Sequence, residues 1–244
     1  MEIRLDGKKA LVTGAGRGIG RGIVGGLTEC GAVVYALSVT QANLDDLKLE
    51  FPSVHTIQVD LSDWEATRAA VEGVGTLDLL VNNAAISPPP TPFVDTDKKT
   101  YEDVFNVNLM AAINVSQVAA QSMLASGKGG AIVNISSVNS CIAINTTSPY
   151  NIAKAGLDMM TKCMAMELSP AIRVNSVNPT VCMTAMGKHH WSDPKKADPW
   201  KARHPMGRFG EVEEVVNTVL FLLSDKASYT TGTCIPVDGG LLCN

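Results

Sequence analysis

Short apolar runs alternate along this chain with longer segments whose apolar positions recur every three or four residues. Lys9 to Thr13, Ala32 to Leu37, Val54 to Val59, Leu77 to Val81, Ala131 to Ile135, Ile172 to Val177 and Thr233 to Val237 read as strands. Helical spacing fills the intervals: Gly20 to about Cys30, Gln41 to Glu50, Trp64 to Val74, about Tyr101 to Ser126, Tyr150 to Leu168 and Glu211 to Ser224. The strand runs are apolar throughout, as expected of strands covered by helices on both sheet faces. The alternation predicts an α/β fold: one doubly wound parallel sheet of about seven strands in a single domain spanning residues 1–244.

Two stretches break the pattern. Ser87 to Pro92 (Ser-Pro-Pro-Pro-Thr-Pro) can continue neither a helix nor a central strand and is expected to be an exposed loop. Met183 to Pro205 lacks clean periodicity and follows the carboxyl end of a strand, where open α/β sheets place their ligands. It reads as a lid or substrate loop over residues 183–205, with Met183, Met186 and Trp191 as apolar candidates for pocket wall or packing.

Composition narrows the partners. A formal net charge of −4 with mixed signs offers no basic stripe for nucleic acid and no polybasic membrane patch. No apolar run approaches the ~20 residues of a membrane span. Six cysteines without a Cys-x-x-Cys pair, and four histidines (His55, His189, His190, His204) without zinc-ligand spacing, point to free thiols, no metal site and a cytoplasmic protein. Sequons occur at Asn114, Asn134 and Asn145, but Asn134 falls on a strand expected to be buried. A small-molecule partner is expected.

The candidate chemistry lies at two places. The first strand breaks into Gly14-Ala15-Gly16-Arg17-Gly18-Ile19-Gly20 and then a helix. Glycines permit a tight turn and close backbone approach, and the helix offers its N-terminal amides to a phosphate. The spacing is Gly-x-x-x-Gly-x-Gly, and a plain turn stays open as an alternative. The second place is Tyr150-Asn151-Ile152-Ala153-Lys154, thirteen residues after Ser137. A tyrosine and a lysine four apart share one helix face. A phenol titrates near ~10, so an ammonium within about 4 to 6 Å is needed to favour its ionised form and make it a general acid and base near neutrality. Ser137, at a strand end, can hold a substrate oxygen against that phenol. Together the three describe carbonyl reduction or alcohol oxidation.

Thr13-Gly14-x-x-x-Gly18-Ile19-Gly20, Asp60-Leu61, Asn82-Asn83-Ala84-Ala85, Asn108, Ser137, Tyr150-x-x-x-Lys154 and Asn178-Pro179-Thr180 occur in order over essentially the whole chain. In these motifs the sequence resembles the short-chain dehydrogenase/reductase family. Arg173 to Thr180, Trp191-Ser192-Asp193-Pro194 and Phe221 to Asp225 are similar to that family's carbonyl reductases. The resemblance implies a Rossmann-type fold and a homotetramer paired through the helices around Tyr101 to Ser126 and Tyr150 to Leu168. It implies Tyr150 as proton donor, Ser137 on the substrate oxygen, and Lys154 on the nicotinamide ribose while lowering the tyrosine's pKa. Asn108 would kink its helix and hold a water that connects Lys154 to solvent. Gly14, Arg17, Gly18, Ile19 and Gly20 would cradle the pyrophosphate side of the cofactor. Asp60 and Leu61 would border the adenine, Asn83 and Ala84 the adenosine ribose, and Val181 and Thr184 the carboxamide. The implied activity is reduction of small ketones, dicarbonyls and L-xylulose.

The second strand ends Leu37-Ser38-Val39-Thr40 with no acidic residue for the adenosine ribose, which argues against NAD(H). Arg17 supplies one charge for a 2′-phosphate, but Val39 stands where NADP-dependent relatives carry arginine, with Ser38 and Thr40 left to compensate. The expectation is NADP(H) preferred and NAD(H) not excluded. Ser137, Val138, Asn145, Thr147, Tyr150 and Trp191 are the expected substrate contacts. Val138 and Thr147 replace polar groups common in relatives that reduce L-xylulose, which favours dicarbonyls or less polar ketones over a pentulose. Two alternatives stay open: a hydroxysteroid or acyl-chain ketone reductase on the same scaffold, and a dinucleotide-binding sensor that does not turn over.

Overall fold

Strands buried on both faces need apolar side chains in both directions, and in the structure this requirement relaxes from the centre of the sheet to its edges. The computed structural model describes residues 2–184, 187 and 191–243. Seven strands, β1 (Lys9–Thr13), β2 (Val33–Ser38), β3 (His55–Gln58), β4 (Leu79–Asn82), β5 (Gly130–Ile135), β6 (Ile172–Pro179) and β7 (Cys234–Val237), form one sheet ordered β3-β2-β1-β4-β5-β6-β7. All neighbouring pairs are parallel, with Val12 opposite both Ala36 and Val81. β1, β4, β5 and β6 are buried almost throughout, whereas the edge strands β3 and β7 are partly exposed. The order reverses between β1 and β4, which opens a crevice at their carboxyl ends.

Helices α1 (Gly18–Glu29), α2 (Gln41–Glu50), α3 (Trp64–Glu72), α4 (Lys98–Phe105), α5 (Ala111–Ser126), α6 (Ser148–Leu168), α7 (Pro194–Lys201) and α8 (Val212–Leu223) connect the strands. Successive strand residues point to opposite faces. Ala10 and Val12 therefore pack with Ile23, Val24 and Leu27 of α1 and with Val215, Val216 and Val219 of α8. Leu11 instead meets the layer built from Val71, Val115, Ala119, Met123 and Ala165 on α3, α5 and α6. The doubly wound, single-sheet expectation is met.

Two elements differ from the periodicity. The helix expected over about Tyr101 to Ser126 starts at Lys98, where the Asp97 side chain accepts from the Thr100 N–H at 2.7 Å. It is then interrupted by a π-helical turn at Asn106–Met110. A π turn inserts one extra residue, so the apolar period slips by a single position there without ending, and the slip does not read as a boundary. The stretch from Met183 to Pro205 contains α7, whose start carries a local signal. Asp193 accepts from the Lys195 N–H at 3.0 Å and Pro194 fills the first turn, where its missing N–H costs nothing. The Met186, His189 and His190 readings lie outside the described residues. The 87–92 loop has no regular structure, as expected.

Candidate active site

A ladder of buried amides fixes the two helices that border the site to the sheet. Asn82 at the end of β4 donates to Ser116 of α5 and to Asn134 of β5, each at 2.8 Å, and Asn134 donates to Thr161 of α6 at 2.8 Å. Asn134 is fully buried, which explains why its sequon reads as structure.

α6 begins with Pro149 in its first turn and presents Tyr150 and Lys154 on one side. The Lys154 ammonium is 5.5 Å from the Tyr150 ring centroid. It is 2% exposed and donates to the Ile135 carbonyl, at the end of β5, at 2.7 Å. Ser137 follows two residues later, so β5 delivers the serine and an anchor for the lysine to one place. The Ser137 carbonyl accepts from Ser140 Oγ at 2.7 Å and from Asn178 Nδ2 at 3.2 Å, which holds the backbone of the turn.

Burial dominates the electrostatics. It pushes the Tyr150 phenol up to about 12, against the Ser137 hydrogen bond, which pulls it down, and with a smaller upward push from Cys182. It pushes Lys154 down to about 8, opposed by the Asp158 carboxylate one turn further along α6. The expectation that Lys154 lowers the phenol's pKa is therefore not met in the free chain. Withdrawing a phenolate from water costs more than an ammonium 5.5 Å away, itself desolvated and bonded to a carbonyl, returns. Asp158 is held by Ser176 Oγ at 2.9 Å and Asn178 Nδ2 at 2.7 Å. It is not among the expected site residues, because one carboxylate on a helix carries no role until its partners in space are known.

Asn108 sits inside the π turn and is 1% exposed. Its Oδ1 accepts from the Ile86 N–H and its Nδ2 donates to the Ile86 carbonyl, both at 2.8 Å. The side chain thus ties the turn to the loop after β4.

A dinucleotide fits the glycine loop. Gly14 and Gly18 have φ of +62° and +58°, and a Cβ on Gly20 would lie 2.3 Å from the Gly14 carbonyl oxygen. Thr13 Oγ1 accepts from the Asn83 and Ala84 N–H groups, and Asn83 Nδ2 donates to the Thr13 and Gly14 carbonyls at 3.0 and 3.1 Å. These bonds press the β1 loop against the end of β4 and leave the amides at the start of α1 facing the crevice. Arg17 is exposed and Ile19 half-buried, while Ser38, at the end of β2, is 9% exposed. Asp60 turns its carboxylate onto Ser62, and Leu61 is buried. Val181 and Thr184 lie at the carboxyl end of β6, where Gly210 pairs with the 181–183 backbone. Val39 is 58% exposed. Arg21 is committed to Glu50.

Of the expected substrate contacts, Val138 is 3% exposed and packs inward, and Asn145 is exposed. Thr147 bonds the Ile144 carbonyl and Asn151 Oδ1, each at 2.9 Å. Trp191 packs edge-on against Trp200 and at a tilt against Phe209, ring centroids 6.0 and 5.2 Å apart. His204, buried, bridges Thr180 Oγ1 (2.9 Å) and the Trp200 carbonyl (2.8 Å) and so pins the end of α7 to the end of β6. Because a carbonyl can only accept, Nδ1 carries a proton toward Trp200. No helix among the described residues is long and apolar enough to cross a membrane.

A parallel sheet that reverses at a glycine-rich β1–α1 turn, with Ser137, Tyr150 and Lys154 converging at its carboxyl edge, is the architecture of an oxidoreductase. The chain belongs to the short-chain dehydrogenase/reductase family. The family described as enoyl-(acyl carrier protein) reductase matches residues 14–242. The L-xylulose reductase of Bos taurus is 55% identical over 243 residues, 99% of each chain. The carbonyl reductase [NADPH] 2 of Sus scrofa is 50% identical over 245 residues, covering 100% of each. Among solved structures, a gluconate 5-dehydrogenase from Burkholderia cenocepacia in complex with NADP and tartrate superposes with a TM-score of 0.93 at 32% identity, over 100% of this chain and 98% of that one.

Proposed function

We propose that the chain reduces small ketones, vicinal dicarbonyls and L-xylulose (to xylitol) with NADPH, using Tyr150 as the proton donor. The observation that carries this reading is the convergence of Ser137, Tyr150 and Lys154 at the end of β5, with Lys154 buried and bonded to Ile135. Relatives named for L-xylulose and carbonyl reduction, at 50 to 55% identity over essentially the whole chain, support the substrate class.

NADPH, when bound, supplies hydride to the carbonyl carbon. The proton is left to this chain. As charge grows on the carbonyl oxygen, Ser137 holds it by hydrogen bond and Tyr150 gives up its phenolic proton. A phenol at about 12 carries its proton at neutral pH but is a weak acid, so transfer depends on the charges that meet the phenolate as it forms. Of the three N–H donors of Lys154, one is fixed on Ile135 and two remain to hold the nicotinamide ribose and stabilise the phenolate that forms. Gly14, Gly18, Ile19, Gly20, Asp60, Leu61, Asn83, Ala84, Val181 and Thr184 would hold the remainder of the cofactor. Arg17 and Ser38 would meet its 2′-phosphate. Asn108 positions the loop after β4 and, in this reading, the proton path from Lys154 to solvent. The protein is read as cytoplasmic, with six thiols that are all unpaired. It is also read as a homotetramer built through α4–α5 and α6.

Steady-state reduction of diacetyl and L-xylulose, each with NADPH and NADH, tests the reading. Turnover with NADPH, with diacetyl at least as good as L-xylulose, is expected because Val138 is apolar and Thr147 is already bonded. Tyr150→Phe should lose about 10²- to 10⁴-fold in kcat. Val39→Arg should tighten NADPH over NADH about tenfold by adding one charged contact. Equal Michaelis constants for the two cofactors would sink the NADPH preference, and no turnover of either substrate would sink the assignment.

A further inference from the structure

The hydroxyl of Ser137 is not free in this structure. It donates to Asn139 Oδ1 at 3.1 Å and accepts from the Asn139 N–H at 3.2 Å. Asn139 Nδ2 donates to Asn151 Oδ1 at 2.7 Å, and Asn151 Nδ2 donates to the Ile144 carbonyl at 2.9 Å. Thr147 closes the network onto the same Ile144 carbonyl and Asn151 Oδ1. The direction of these bonds is fixed from one end. The Ile144 carbonyl can only accept, so the amide nitrogen of Asn151 must face it and its oxygen must face Asn139. Asn139 must then present its nitrogen to Asn151 and its oxygen to Ser137. With the phenol protonated and no substrate present, the Ser137 hydroxyl then directs its proton to Asn139.

We infer that Asn139 and Asn151 form a clasp that sets the rotamer and proton direction of Ser137 and pins the 138–147 segment, which carries the candidate substrate contacts, to α6. Neither asparagine belongs to the expected catalytic set, and neither is needed to pass a proton. They are positioning residues. Asn151 follows Tyr150 directly, so the clasp spans the two groups that must meet one carbonyl oxygen, Ser137 after β5 and Tyr150 on α6. A substrate oxygen takes over the Ser137 proton while the Asn139 N–H bond to Oγ keeps the hydroxyl in place. Small errors in such placement are costly: a misplacement of about 1 Å can cost roughly 10²-fold in rate.

The inference rests on the proposed role of Ser137, and two measurements separate the two readings. Steady-state kinetics of diacetyl reduction with NADPH is the first. Asn139→Ala and Asn151→Ala are each expected to lower kcat about tenfold, with KM and the cofactor Kd from fluorescence quenching changed less than threefold. Asn151→Asp, nearly isosteric, should lose as much as Asn151→Ala, because its second carboxylate oxygen would face the Ile144 carbonyl. In a Ser137→Ala background, Asn139→Ala should lose nothing further. A full tenfold further loss there, or an Asn151→Asp variant with wild-type kcat, would overturn the clasp. The second measurement is amide hydrogen exchange over residues 138–147 of the full chain, which does not depend on turnover. Exchange at least tenfold faster in Asn151→Ala than in wild type supports the clasp even if no small carbonyl is reduced and the functional proposal fails. Unchanged exchange overturns it.

Discussion

Lys154 is the side chain on which burial and function pull hardest against each other. Its folded value of about 8 lies below the ordinary 10.5 because its ammonium has left water. Between those two pH values the unfolded chain therefore binds more protons than the folded one, and this residue's contribution to stability rises as pH rises through the window. It is least favourable below about 8, where the folded lysine must be charged while buried. Lys154→Met should abolish this contribution, which is on the order of 3 kcal/mol. The gap in thermal midpoint between variant and wild type should be larger at pH 7 than at pH 10. A gap independent of pH would show that Lys154 titrates as an ordinary surface lysine. Comparing the two proteins also removes Cys182, pushed by burial up to about 12, which slopes the opposite way above its ordinary value. The Tyr150–Lys154 pair and Ser137 were legible as residues because their chemistry is carried by side-chain type and spacing. Asp158, Asn139 and Asn151 were not, because asparagine and aspartate have ordinary uses everywhere and only their partners give them a role.

Among the elements, the π turn at Asn106–Met110 and the α7 segment depart most from the pattern of apolar positions. The π turn places Asn108 where both ends of its amide close on the Ile86 backbone. Asn108→Ala would leave the partly buried Ile86 N–H and carbonyl without their side-chain partner. The expected cost is about 1 to 2 kcal/mol of unfolding free energy in urea, with faster amide exchange in the 84–92 loop. A loss below about 0.5 kcal/mol would mean that the turn is held by packing alone. That the helix is kinked at Asn108 was implied by family resemblance and not by periodicity. α7 went unread because eight residues with two prolines and three lysine side chains carry almost no apolar signal. Its position is settled by His204 and by the Trp191–Phe209 contact, both made after the chain has turned back on itself.

The whole molecule leaves apolar side chains uncovered on the outer helices: Leu124 of α5 and Ile152, Met159 and Met166 of α6 are 48%, 48%, 58% and 84% exposed. Exposed apolar side chains of this kind are what a subunit interface on α5 and α6 would cover. Light scattering is expected to give a tetramer, and Met159→Glu to shift the mass downward; a monomeric wild type would refute the tetramer. Sequence alone determined the fold class, since continuous apolar runs alternating with helical ones admit one way of covering a parallel sheet on both faces. It also determined the site's chemical types, since the glycines at 14, 18 and 20 and the Ser, Tyr and Lys at 137, 150 and 154 are required by what they do locally. The tertiary structure decided how those groups are tuned. The rise of Tyr150, the fall of Lys154, the burial of Val138 and the hold of Asn139 and Asn151 on Ser137 all depend on what lies beside each group once β4, β5, β6 and α6 meet. Desolvation and hydrogen-bond direction belong to neighbours in space, and adjacency along the chain does not specify them.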